Sequence, residues 1–152
     1  MMSETPANIK ERQIVTTRVF DAPVENVFTA WSNPELLKRW WGPKGFTNTF
    51  YVFDFRPGGD WKFTMHGPDA GNYHNESAFI EIEEPKRIVL NHVSKPRFRL
   101  TVEFEDEGDN RTKLIFQQLF ETVEEYDKVK VFAADANEEN MDRLEAVLKA
   151  AS

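Results

Sequence analysis

His74, Glu76 and His92 are the side chains of this sequence whose types and spacing suit acid–base or metal chemistry. His74 and Glu76 stand two apart, which places them on one face of a strand, and His92 ends the next apolar run. A carboxylate beside a histidine in an apolar cavity can act as a general base, because burial raises the carboxyl pKa towards neutrality. Two histidines and one carboxylate can hold a non-haem iron. The same pair at a cavity mouth can instead orient a polar group of a ligand. A metal needs ligands converging to about 2.0–2.2 Å. Alternation commonly lapses where His74 and Glu76 meet the Gly67–Gly71 segment, so neither a metal nor a cofactor is expected. No nucleophile elbow or phosphate loop accompanies these catalytic candidates. Gly58-Gly59 joins strand to strand, without the helix N-terminus that a phosphate cradle uses. The sequence has no cysteine, which removes thiol nucleophiles, disulfide frameworks and Cys-ligated metals. These residues favour binding over catalysis.

The elements that must position them are legible from periodicity. Residues 1–12 are polar and aperiodic, and a frayed segment is expected there, followed by a single domain over 13–152. Gln13–Phe20 is β-branched and reads as a strand. Asp21 and Pro23 signal a helix start, and Val24, Val27, Phe28 and Trp31 follow at helical spacing. Asn33-Pro34 caps a second short helix with Leu36, Leu37, Trp40 and Trp41 as its stripe. From Phe46 to Phe120 the period becomes two. Strands are expected at Phe46–Phe55, Trp61–His66, Asn72–Glu83, Arg87–Val93, Arg97–Phe104 and Arg111–Phe120, joined by short turns into antiparallel hairpins. Thr122-Val123-Glu124-Glu125 is a capping box opening a helical tail, with Met141, Leu144 and Leu148 as its apolar face and Phe132–Asp135 as a candidate break. The layout is β-α-α-β6-α, an α+β arrangement in which the terminal helix covers one sheet face.

Composition bounds the partners. In 152 residues there are 20 aromatics, 13 of them Phe, and a net charge of −7. That sign argues against a nucleic-acid binder. No apolar run approaches the ~20 residues of a membrane span, and the polar, acidic residues 1–11 are no signal peptide. A cytoplasmic protein without a membrane or nucleic-acid partner is expected, as monomer or homodimer. From Glu121 onward nine acids face four bases, a solvated helix face in the plain reading and an acidic docking face around Glu138, Glu139 and Asp142 in the sharper one.

Hairpin arithmetic assigns faces. With Phe104 opposite Thr112, Val102 opposes Leu114, Leu100 opposes Phe116 and Phe98 opposes Gln118, and opposed residues share a side. Parity then sends Ile80, Ile82, Ala78, Glu76, His74 and His92 inward together. Trp61, Phe63 and Met65 share the inner face, with Tyr51, Phe53 and Phe55 opposing them. Trp40 and Trp41 point about 100° apart, so one anchors the helix and the other is free to cap a cavity.

The ordered set Phe20-Asp21-Ala22-Pro23, Val27-Phe28-Thr29-Ala30-Trp31, Trp40-Trp41-Gly42-Pro43, Asp54, Arg56-Pro57-Gly58-Gly59, Trp61 and Met65-His66-Gly67-Pro68-Asp69 carries a resemblance. Pro85-Lys86-Arg87-Ile88-Val89, Val102-Glu103-Phe104, Thr112-Lys113-Leu114 and Met141-Asp142-Arg143-Leu144 continue it, from about Val15 to Leu148. The chain resembles the helix-grip fold of the START/Bet v 1-like (SRPBCC) superfamily. More narrowly, it is similar to the branch named for the C-terminal domain of the heat-shock-protein-90 ATPase activator. Relatives often carry Gly-Trp where this chain has Ala136-Asn137, so ligand preference does not transfer from them. The resemblance implies a curved sheet wrapped around the terminal helix and a cavity for a small hydrophobic or amphipathic molecule. The expected ligand contacts are Phe63, Met65, Phe98, Leu100, Phe116, Met141 and Leu144, with His92, Gln118 and Asn137 supplying polarity. The alternatives are a cofactor-free cyclase or isomerase using His74, Glu76 or His92, and a chaperone-linked interaction domain.

Overall fold

The computed structural model describes residues 11–151. The order is β1 (Gln13–Phe20), α1 (Val24–Ser32), α2 (Pro34–Trp40), β2 (Thr47–Phe53), β3 (Asp60–His66), β4 (Asn72–Glu83), β5 (Arg87–His92), β6 (Phe98–Gly108), β7 (Arg111–Phe120) and α3 (Val123–Ala151). The strands form one antiparallel sheet in the order β1-β7-β6-β5-β4-β3-β2. Helix α3 lies against β1, β7, α1 and α2. It runs unbroken through Phe132–Asp135. This is the α+β helix-grip architecture.

The helix starts follow the sequence in part. Asn33 caps α2 as expected, its Oδ1 accepting the Glu35 N–H at 2.9 Å. Asp21 caps nothing: the chain stays extended through Pro23 (φ −62°, ψ 152°), whose carbonyl receives the first amides of α1. At α3, Thr122 Oγ1 accepts the Glu125 N–H at 3.1 Å. Glu125 does not close the box. Its carboxylate instead accepts from the Arg97 backbone N–H (2.9 Å) and side-chain Nε (3.2 Å), tying the helix start to β6. The frayed segment expected over 1–12 lies outside the described residues for 1–10. Arg12 is buried, with its guanidinium donating to the Phe120 carbonyl.

Register departs from the expected pairing at three places. The β6–β7 turn uses Asp109 and Asn110, both at positive φ, and Phe104 pairs with Leu114 rather than Thr112. That shift is by two residues, so every side chain keeps its face. Bulges at Tyr51 and Ile80 shift by one, and parity reverses across them. Phe50, Phe53 and Phe55 therefore pack against the core while Tyr51 is exposed. Likewise Phe79 and Ser77 are buried while Ile80 is exposed. The core joins Phe20, Phe28, Trp31, Trp40, Val102, Leu114, Met141 and Leu144 between sheet and helices. Trp40 is the anchor, fully buried with its Nε1 donating to the Ala30 carbonyl at 3.0 Å.

Candidate functional site

Between β3–β7 and the middle of α3 lies a space of about 190 Å³. Its wall is largely aromatic: Trp61 and Phe63 stack at 4.5 Å, Trp41 packs on Trp61 at 5.1 Å, and Phe98 and Phe116 complete the side formed by β6 and β7. Trp41, the residue after the anchoring Trp40, fills the second role expected of that pair and lies on this wall. The Ile80 bulge explains why β4 supplies Asn75 and Ser77 to it, beside Phe63 and Met65 of β3.

Of the expected contacts, Phe63, Met65, Phe98, Leu100, Phe116, His92, Gln118 and Asn137 lie on this wall. Met141 and Leu144 do not. Both are fully buried within the hydrophobic core instead. The polar end is made by amides. Asn137 Nδ2 donates to Gln118 Oε1 at 2.7 Å, both residues buried. Asn140, one helical turn from Asn137, also lines the space and is buried. Sequence reasoning missed Asn140. Its spacing of three from Asn137 and four from Leu144 on an inward-facing stripe was the available signal.

The acid–base constellation does not assemble. The Ile80 bulge turns His74 and Glu76 outward, so they face the opposite side of the sheet from His92. On that outer surface His74 Nε2 meets Glu76 Oε2 at 2.9 Å. This hydrogen bond holds the Glu76 carboxyl below its ordinary pKa, the reverse of the raised value that a buried general base requires.

His92 does reach the inner face. It is buried, stacks on Phe98 at 4.7 Å, and donates from Nδ1 to the Pro96 carbonyl at 2.8 Å. Its Nε2 lies 2.6 Å from the Asn75 side-chain amide. Burial pulls its pKa below the ordinary 6.5, against the pull of the Pro96 and Ser94 backbone. Between 6.5 and the lower folded value, the unfolded chain binds a proton that the folded chain refuses, so stability falls as pH drops through that window. His92→Gln should flatten the fall in denaturation midpoint between about pH 7.5 and 5.5. Equal slopes for the two proteins would refute this assignment.

The floor of the site depends on Arg143. Its guanidinium reaches out of α3 to the carbonyls of Arg39, Gly42, Pro43 and Phe46, each at 2.9 Å, and of Trp41 at 3.3 Å. Gly42 and Pro43 line the space, and Gly42 has φ +99° with Met65 pressed against it. An added Cβ there would lie 2.8 Å from the Met65 Cε.

Glu138, Glu139 and Asp142 of α3 are engaged within the chain. Arg18 binds Glu138 (2.8 Å) and Asp142 (2.7 Å), and Glu139 accepts the Lys44 N–H at 3.1 Å. No helix among the described residues is long and apolar enough to cross a membrane.

Comparison with known proteins fits this architecture. A protein of Arthrobacter aurescens, solved in solution, is 27% identical with a TM-score of 0.85, covering 93% of this chain and 88% of its own. A Nitrosomonas europaea crystal structure is 22% identical with a TM-score of 0.84, covering 94% of this chain and 97% of its own. The AHSA1 protein of Silicibacter pomeroyi shares the fold at 17% identity, with a TM-score of 0.76 and coverage of 92% and 99%. No curated protein matches the chain. The family model described as "Activator of Hsp90 ATPase homolog 1-like protein" matches residues 21–149. With nearly the whole grip covered by that match, the chain belongs to the Activator of Hsp90 ATPase homolog 1-like family.

Proposed function

We propose that this protein binds a small hydrophobic or amphipathic molecule between its sheet and its terminal helix. One observation carries the reading: an aromatic-walled space of about 190 Å³ whose lining contains no Asp, Glu, Lys or Arg. Close-packed interiors leave few voids larger than a water, and an apolar recess with a few convergent polar groups is the usual form of a ligand site. Phe63, Met65, Phe98, Leu100 and Phe116 would contact the apolar part of the ligand, with His92, Gln118 and Asn137 at its polar part. Catalysis by His74 and Glu76 is disfavoured by their outward placement. A chaperone contact through Glu138, Glu139 and Asp142 would compete with their bonds to Arg18 and Lys44.

The test is the fluorescence of Nile red, with melting temperature read across a library of neutral apolar compounds. A ligand at a hundred times its Kd adds about 2.7 kcal/mol to folding, which the melting temperature would register. Asn137→Trp places the large side chain that relatives often carry into the space. It is expected to abolish dye binding while the protein remains folded. Undiminished binding in Asn137→Trp would remove this space as the site. Failure of every compound to bind the natural protein would remove the function.

A further inference from the structure

We infer that the space selects a neutral, oxygen-bearing aromatic ring and rejects anions, with Gln118, Asn137 and Asn140 forming an amide cradle for the oxygen. The inference rests on the binding reading above and adds the ligand's chemical class.

The cradle is a built polar site inside an apolar wall. Gln118, Asn137 and Asn140 are 9%, 9% and 5% exposed, and all three line the same space. Each amide brings two N–H donors and one carbonyl. Among the described residues the one hydrogen bond within the trio is Asn137 Nδ2 to Gln118 Oε1. Asn140 Oδ1 is buried without a partner. A buried polar atom left unpaired is costly, so Asn140 calls for a partner. Donors and acceptors both remain open, which suits a carbonyl or hydroxyl oxygen and gives no preference to an ionic group. The wall offers no cation for a carboxylate and no anion for an amine. A charged ligand would lose its hydration without gaining a counter-ion.

Shape supplies the rest. The stacked Trp61 and Phe63 rings and the adjacent Trp41 present broad faces that favour a flat ring. At roughly 10–15 Å³ of such space per water-sized group, about 190 Å³ admits one or two fused rings with a short substituent.

Isothermal calorimetry with three naphthalenes tests the class, the substituent at one fixed position being acetyl, ethyl or carboxylate. The acetyl compound should bind at least about tenfold more tightly than the ethyl compound, and the carboxylate should not bind. The bound ketone's carbonyl stretch should move to lower frequency than in hydrocarbon solvent, reporting amide donors. Asn140→Leu and Gln118→Leu should each bring the acetyl and ethyl affinities together, and Asn140→Leu removes an unpaired buried group, so its fold should persist. Equal acetyl and ethyl affinities in the natural protein, or preference for the carboxylate, overturn the cradle while leaving the binding function standing. If neither neutral naphthalene nor Nile red binds, the binding function itself fails, and the cradle with it.

Discussion

Replacing Arg143 by Met is expected to cost about 3–4 kcal/mol of stability. The reason is the number of backbone acceptors that one planar cation satisfies. Helix α2 ends at Trp40 and leaves carbonyls without intrahelical partners. Asn48 takes those of Lys38 and Trp41, and Arg143 takes that of Arg39 together with four more in the following turn. A positive charge at a helix C-terminus also opposes the helix dipole favourably. Met keeps the stem's packing and removes the donors, so the loss measures the hydrogen bonds. Hydrogen bonds to a charged group are each worth about 1.5–3 kcal/mol, and those at the surface recover water. Lys at this position is a point charge that cannot reach in two directions at once, so Arg143→Lys should recover less than half. In a domain of this size each kcal/mol moves the melting temperature by about 2–4 °C. Arg143→Met should therefore melt roughly 10 °C lower and bind dye more weakly, because Gly42 and Pro43 would no longer be held against the space. A melting temperature within about 2 °C of the natural protein would show that the carbonyls find water instead.

Arg143 also marks the boundary of what periodicity can tell. The stripe Met141, Leu144 and Leu148 was legible because burial of apolar side chains leaves a repeat. A guanidinium serving backbone carbonyls a hundred residues away leaves none. The faces of β5, β6 and β7 were legible for a related reason. Their alternation is regular up to the irregularity at Asp106/Gly108 beside the turn, and the misplaced Phe104 pairing was off by two, an even number that changes no face. The same arithmetic failed in β2 and β4, where one extra residue reverses every assignment beyond it. The signal was present in weak form. Phe50 and Phe53 are three apart, and Phe79-Ile80 and Tyr51-Val52 are adjacent apolar pairs in strands that otherwise alternate. Reading through those pairs placed Tyr51, His74 and Glu76 inside. The candidate catalytic group was lost to that error, whereas His92, Gln118 and Asn137 lie beyond its reach on other elements.

The bulge in β4 has a fixed cause, and Gly59→Ala is expected to expose it. An added Cβ at Gly59 would lie 2.0 Å from the Asp54 carbonyl oxygen and 2.9 Å from its carbon. Backbone cannot yield as a side-chain tip does, so the turn Arg56–Gly59 must open. That turn holds β4: Gly58 N–H donates to the Phe79 carbonyl and Phe79 N–H to the Gly59 carbonyl, both at 2.9 Å. With Phe79 pinned there, Ile80 is the residue left over against β5. Opening the turn would also loosen Phe79 from Phe55 and Trp61, behind the aromatic wall of the site. A loss of about 3 kcal/mol is expected for Gly59→Ala. Gly58 is the control. It has φ +87° with nothing within 4 Å of an added Cβ, so Gly58→Ala should cost only about 1–2 kcal/mol for the left-handed conformation. The two neighbours look alike as a Gly-Gly turn but are glycine for different reasons, one for conformation and one for contact. Gly58→Asn separates them further, since Asn tolerates the left-handed region, and it should lie close to the natural protein. Chemical denaturation of the three variants decides the matter. If Gly58→Ala proves the more damaging, the close approach at Asp54 is not what holds the turn, and the placement of Phe79 must have another origin.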